Sequence, residues 1–325
     1  MKDKKDNQRQ NANSLKRLTI GLGIFSAILL ASNIWTLAVY APSQQGSTIS
    51  DSKNKYPLLD PSRGTYDRAD RIINFQSLRD FLNNEYEADK NVSIYFEFLN
   101  TGANIAMNKD AEFWPASLLK VPVAMAATKK IEAGDWKWDS KLVLTGLDKD
   151  EKFGDLYKQP VGSTFTIEDL LRRSLSDSDN TAHFMLIRNL EPEEIEAVYK
   201  HIGLDGYLLN TSSVIGAKQY SALFRSLYTA SYISGDNSQK LLTLMAQSSF
   251  REYLSTGLPT DISFAHKFGI DREKKVWLDS GIVYRENRPY ILTVMIKSEK
   301  EDMARVAMKT ISENVYRYIN EYKEE

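Results

Sequence analysis

Apolar positions along this chain fall into three regimes. From Leu18 to Tyr40 they run for 23 residues without a charge, enough for a helix to cross a bilayer, which takes about 20 residues. Residues 42–70 carry Ser, Gln, Asp, Lys and Pro without an apolar period and read as a flexible linker. Beyond 70 the spacing becomes that of a folded domain. Phe75, Leu78, Phe81, Leu82 and Tyr86 recur at helical spacing behind Asn74 as a cap, Val92, Ile94, Phe96 and Phe98 alternate as in a strand, and a second strand follows over 103–107.

The stretch from Phe113 to Ala127 predicts a helix, with Pro122 one turn inside it removing a hydrogen bond or bending it, the alternative being that the helix starts later. Helical periods then dominate 134–231: 166–175 behind Thr166 as cap, 181–189, 193–202 and 217–231, with one more helix over 241–247. Residues 262–268, 276–284 and 290–296 read as strands, the last two as a hairpin. Ser298 and Glu301 suggest a capping box for a C-terminal helix whose apolar stripe is Met303, Val306, Ala307, Ile311, Val315, Ile319 and Tyr322. The expected class is α+β: a mainly antiparallel sheet with the first and last helices on one face and a helical subdomain inserted at about 134–231.

Charge orients this layout. Residues 1–17 hold six Lys or Arg against two Asp, so the positive-inside rule places them in the cytoplasm, 18–41 in the membrane as a single-pass signal anchor, 42–70 outside as a linker and 71–325 outside as the catalytic domain. A cleaved signal peptide ending at Val39-Tyr40-Ala41 is the rival, but such apolar cores are usually only about 7 to 15 residues long. The whole chain has 43 acidic and 42 basic residues, which gives no reason to expect nucleic acid as a partner. It has no cysteine and three separated histidines, so thiolate chemistry and disulfides are excluded and no metal or other cofactor is expected.

The candidate chemistry starts at Ser117 and Lys120, three apart and therefore on one helical face. A lysine that has lost its proton can take the proton of a serine hydroxyl and make it a nucleophile. S-x-x-K also occurs at Ser50 and Ser52, in polar sequence without helical period; the apolar setting distinguishes Ser117. Downstream come Ser178-Asp179-Asn180, between two helices, and His266-Lys267-Phe268-Gly269 in a strand. Taken singly, Ser178 or Asp179 could cap the following helix and Lys267 could be an ordinary strand residue. No G-x-S-x-G, H-E-x-x-H or P-loop is present.

In this order S-x-x-K, S-D-N and K-x-G resemble the signature of the class A β-lactamase and penicillin-binding protein family, and the likeness extends to Ser117-Leu-Leu-Lys120-Val-Pro-Val, Ser178-Asp-Asn180-Thr-Ala and Asp279-Ser-Gly281-Ile-Val-Tyr284. The resemblance implies a sheet domain and a helical domain with the site between them. It implies that Ser117 is acylated, Lys120 takes its proton and Ser178 relays a proton to the departing nitrogen. Asn180 would bind the acyl amide, Lys267 the substrate carboxylate while depressing the pKa of Lys120, and the N–H groups of Ser117 and Ile270, the latter just past Gly269, would form the oxyanion hole. Two departures stand out. Phe268 replaces the hydroxyl residue usual after the lysine, and the E-x-x-L-N segment whose glutamate activates the deacylating water has no counterpart between Leu204 and Ser213; Glu191, Glu193, Glu194 and Glu196 sit at a helix start instead. Loss of a general base costs about 10²- to 10⁴-fold. The expectation is a D,D-peptidase-type hydrolase acting on D-Ala-D-Ala peptidoglycan stems and acylated by β-lactams; a class A-type β-lactamase and a non-turnover sensor or cell-wall scaffold are the alternatives.

Overall fold

The computed structural model describes residues 56–60, 70–205, 207 and 213–322. Among these no helix is long and apolar enough to cross a membrane; the basic tail, the uncharged run expected as an anchor and most of the expected linker lie outside the described residues. The part of that linker that is described, 56–60, is packed on the domain. Leu58 N donates to Gln239 Oε1 at 2.8 Å, Asp60 N to the Tyr228 carbonyl at 2.8 Å and the Tyr284 hydroxyl to the Leu58 carbonyl at 2.8 Å, while Leu59 is buried.

Along the chain run α1 (Gln76–Tyr86), β1 (Val92–Phe98), β2 (Ala103–Met107), a 3-10 turn (Ala116–Leu119) leading into α2 (Lys120–Ala133), the short strands β3 (Lys141–Val143) and β4 (Thr164–Thr166), then α3 (Ile167–Ser176), α4 (Asn180–Arg188), α5 (Pro192–His201), α6 (Ala217–Tyr228) and α7 (Gly235–Ala246). Strands β5 (Phe264–Asp271), β6 (Val276–Val283) and β7 (Tyr290–Lys297) precede α8 (Glu301–Glu321). Five strands make one antiparallel sheet in the order β2-β1-β7-β6-β5. The first two strands therefore join the last three across the whole helical insertion, and β5 is left as an edge. β3 pairs only with β4; three residues each are too few to show an alternation in sequence.

Period-two alternation sorts the sheet residues into two cores. Ile94, Phe96, Phe98, Leu292, Val294 and Ile296 face α1 and α8. Tyr95, Leu278, Ile282, Ile291 and Met295 face the helical part, where they join Met125, Leu171, Leu186 and Phe224. Both faces are covered, which is why β6 is buried along its whole length. The first and last helices share one face, as the two apolar patterns imply.

Three local expectations are corrected. α2 begins at Lys120, so Pro122 falls in the first turn, where a missing N–H leaves no helical bond unmade; the distortion appears as the 3-10 turn before it. Ser298 and Glu301 form no capping box: α8 starts behind Lys300 without a side-chain cap, and the Ser298 hydroxyl is engaged by Lys300 N and O. The buried stripe of α8 runs through Ala304, Met308, Ile311, Val315 and Ile319, leaving Met303 64% and Val306 66% exposed. Apolar residues occupy both candidate faces over the first two turns, and packing of the small Ala304 against the sheet side settles the phase.

Asp279-Ser280-Gly281 lies where β5 and β6 are closest. A Cβ at Gly281 would stand 2.4 Å from the Ala265 carbonyl oxygen and 2.5 Å from His266 Cβ, and neither can retreat without opening the β5–β6 ladder. Gly281→Ala is expected to lose at least about 1–3 kcal/mol of stability, read as a lower urea midpoint at unchanged slope.

Candidate active site

The nucleophile candidate sits on the 3-10 turn. Ala116 just before it has φ +46°, an unfavourable conformation for a residue with a Cβ, and the turn is pinned from behind by the Tyr220 hydroxyl, which donates to the Leu118 carbonyl at 2.9 Å. Gly269 of β5 closes on the same turn: a Cβ there would be 3.0 Å from the Pro115 carbonyl oxygen and 3.2 Å from Leu118 Cγ. What presses on the backbone of Gly269 in this structure is thus the segment that carries Ser117.

Lys120 opens α2 and is 2% exposed. Its Nζ lies 2.8 Å from Ser117 Oγ, 3.2 Å from Ser178 Oγ and 2.6 Å from Asn180 Oδ1. Lys267 reaches the same group from β5, donating to Ser178 Oγ at 2.9 Å and to the Phe268 carbonyl at 3.2 Å. The result is a continuous chain of polar atoms, Ser117, Lys120, Ser178, Lys267, with Ser178 and Lys267 wholly buried at its inner end. Ser178 itself has φ +57°.

Both alternatives for the Ser-Asp-Asn segment hold, each for a different residue. Asp179 caps α4, its Oδ1 accepting from Ala182 N at 2.9 Å, while Ser178 and Asn180 point to the lysines. Asn180 Nδ2 donates to Asp150 Oδ1 at 2.8 Å and its backbone N to the Phe153 carbonyl at 3.0 Å.

Ser117, Lys120, Asn180 and Ile270 line a cavity of about 520 Å³ together with Trp114, Phe153 and His183. A larger cavity of about 900 Å³ shares Trp114 and Glu273 with it and contains none of the reactive groups. Burial pulls the Lys120 ammonium down to a pKa of about 7, against the opposing pull of Asp179 and Asp150. Burial, then the charge of Lys120, drives Lys267 well below its ordinary value. At neutral pH an amine with a pKa near 7 is half deprotonated, so Lys120 can accept the Ser117 proton across 2.8 Å.

No role is expected of His183, which lies within α4. It is buried in the cavity wall, its Nδ1 has no hydrogen-bond partner, and burial with the charges of Lys120 and Lys267 lowers its pKa to about 3. Its position three residues after Asn180, on one face of α4, was the available signal. Asp150 and Phe153 come from an irregular loop that gave none. His266 instead pairs through Nδ1 with Asp279 Oδ1 at 2.8 Å, both fully buried in the sheet. Glu194 is used locally, bonding Glu191 N and Lys130 Nζ.

Residues 75–319 match the family model described as the beta-lactamase enzyme family. The β-lactamase VEB-1 of Pseudomonas aeruginosa is 30% identical over 103 residues, 30% of this chain, so the match spans only 34% of that relative. Among solved structures, PBP-A is similar with a TM-score of 0.71 at 21% identity, covering 79% of this chain and 100% of that one. A variant of PBP-A in acyl-enzyme complex with penicillin G gives 0.68 at 21%, covering 76% and 96%, and a β-lactamase from Sphaerobacter thermophilus 0.70 at 18%, covering 78% and 100%. At these identities the structures establish the shared fold.

The pKa of Lys120 fixes the sign of a pH dependence. The acylation rate should fall as pH drops through about 7 and level off above it, because only the neutral amine accepts the proton. Lys120→Ala should lower the plateau by about 10²- to 10⁴-fold in stopped-flow or quench measurements of acylation.

Proposed function

The chain belongs to the β-lactamase enzyme family and is a serine hydrolase, and on that premise we propose that it is a D,D-peptidase of the penicillin-binding type. Ser117 attacks the carbonyl of a D-Ala-D-Ala stem peptide or of a β-lactam ring, and Lys120 takes the Ser117 proton. Ser178, bridging the two amines at 3.2 and 2.9 Å, passes a proton to the leaving nitrogen. The N–H groups of Ser117 and Ile270 hold the oxyanion, Asn180 turns its amide from Asp150 to the acyl side chain, and Lys267 attracts the terminal carboxylate. The uncharged run at 18–41 anchors the protein in the cell membrane with this domain outside, where the peptidoglycan is.

The observation that carries the peptidase reading over fast β-lactam hydrolysis is how the carboxylates lining the cavity are engaged. Asp150 accepts from Asn180 Nδ2 and from Lys152 N, Asp271 accepts from Glu273 N and Lys274 N in the β5–β6 turn, and Glu273 pairs with Lys152 at the exposed rim. Each is engaged by a neighbouring N–H or amine, and the peptidase reading assigns none of them as the base that activates water on a Ser117 ester. The β-lactamase alternative draws on the partial likeness to VEB-1.

Intact mass of the 42–325 domain after addition of benzylpenicillin, with Ser117→Ala alongside, separates the readings. An adduct that depends on Ser117 and lasts many minutes, with D-Ala released from a stem peptide, is the expected result. Rapid penicillin hydrolysis without a lasting adduct would replace it by the β-lactamase reading, and an adduct without D-Ala release by a sensor. Membrane fractionation of cells expressing the full chain should recover it in the pellet, and release as a soluble fragment cut after Ala41 would overturn the anchor.

A further inference from the structure

The space beside Lys267 is filled with aromatic carbon. Phe268 lays its ring against the amine, with Nζ 3.9 Å from the ring centroid. Phe250 stacks on the same ring at 3.7 Å and an interplanar angle of 15°, and Phe153 reaches over from the loop before α3 to within 6.0 Å of it. Phe268 is 3% exposed and Lys267 is 0% exposed. Phe153 belongs to the cavity wall but packs against the core under α1 and α8, so it bridges the helical side and the sheet side of the cleft. Its main chain is held by the bond from Asn180 N and by its neighbour Gly154, whose φ is +88°.

Lys267 is fully buried and does not line the cavity beside Ser117, so an anion in that cavity reaches the amine only if this packing opens. The hydrogen bonds from Nζ run to Ser178 Oγ and the Phe268 carbonyl, and the ring beside it presents a negative face that repels a carboxylate. The cavity lined by Ser117, Asn180 and Ile270 lies beside this packing, and Phe153 belongs to both.

We propose that Phe153, Phe250 and Phe268 form an aromatic plug that determines specificity, disfavouring acyl donors with a carboxylate beside the scissile bond relative to uncharged ones. Lys267 then acts chiefly through Ser178, and carboxylate-bearing donors acylate Ser117 only after displacing a ring. This rests on the acyl-enzyme reading above and narrows it: Lys267 meets the terminal carboxylate of a stem peptide or β-lactam only once a ring is displaced, so such donors react, but slowly.

The test compares two donors, benzylpenicillin and the uncharged thioester S-phenyl phenylthioacetate, on the same enzyme. The readout is the ratio of their second-order rates of acylating Ser117, followed by intact mass. In Phe268→Thr, which removes the ring and supplies a hydroxyl, and separately in Phe153→Ala, the ratio should shift toward penicillin by about ten-fold or more, the size expected when one aromatic contact no longer has to be broken. Phe153 is partly exposed, so its variant keeps a folded reporter if Phe268→Thr proves unstable. A ratio that stays within about two-fold of wild type in the folded variants, or moves toward the thioester, overturns the plug. If neither donor nor a fluorophosphonate labels Ser117 in wild type, the acyl-enzyme reading itself fails and the plug falls with it.

Discussion

Asp179 is the residue on which the cleft depends, although it takes no part in the proposed chemistry. Its buried carboxylate accepts from Ala182 N at the start of α4 and from Asp155 N and Leu156 N in the loop before α3, each at 2.9 Å. A carboxylate removed from water is tolerable only when so satisfied, and the helix N-terminus adds a favourable dipole. The fit leaves no tolerance at Gly154, where a Cβ would come within 2.1 Å of Asp179 Oδ2. One side chain thus fixes where α4 starts, and so Ser178 before it, Asn180 after it and His183 a turn on. It also fixes the loop that delivers Asp150 and Phe153.

On this frame two amines are forced together. Lys120 and Lys267 share Ser178 and are 2% and 0% exposed, so each is penalised for its charge by burial and Lys267 further by its neighbour. The arrangement costs stability as pH falls below the ordinary lysine value of 10.5, because the unfolded chain then protonates both amines freely and binds more protons than the folded one. It persists where β5, an edge strand, meets the 3-10 turn, with Gly269 against Pro115 and Leu118. Neither face can recede, since each is backed by one of the two cores.

How much of this was readable beforehand follows from the range of the forces involved. β1 and β2 appear at the expected residues and α3 begins behind Thr166, because alternation and caps are local. Ser117, Lys120, Ser178, Asn180 and Lys267 meet as the ordered motifs imply. The phase of α8 and the docking of 56–60 were misjudged, since both are decided by packing against distant residues. Phe153 and Asp150 were invisible for the same reason: nothing within a few residues marks a loop that is held by Asp179. His183 was legible only through its spacing from Asn180 on one face of α4.

The basicities in the cleft also bear on turnover. Removal of an acyl group from Ser117 needs a group able to take a proton from water. His183 has an unpartnered nitrogen in the cavity wall, yet with a pKa of about 3 it is a far weaker base than Lys120 at about 7. Such an imidazole gives little drive for removing a proton from water. The strongest accessible base is then Lys120, which already serves the forward step. In the proposed mechanism its first proton has gone by way of Ser178 to the leaving nitrogen, so the same amine would have to accept a second one, from water. That transfer would leave an ammonium buried beside Lys267, with Ser178 between the two amines. One amine taking both protons in turn would make release of the acyl group the slower half, which is the behaviour the peptidase reading proposed above requires.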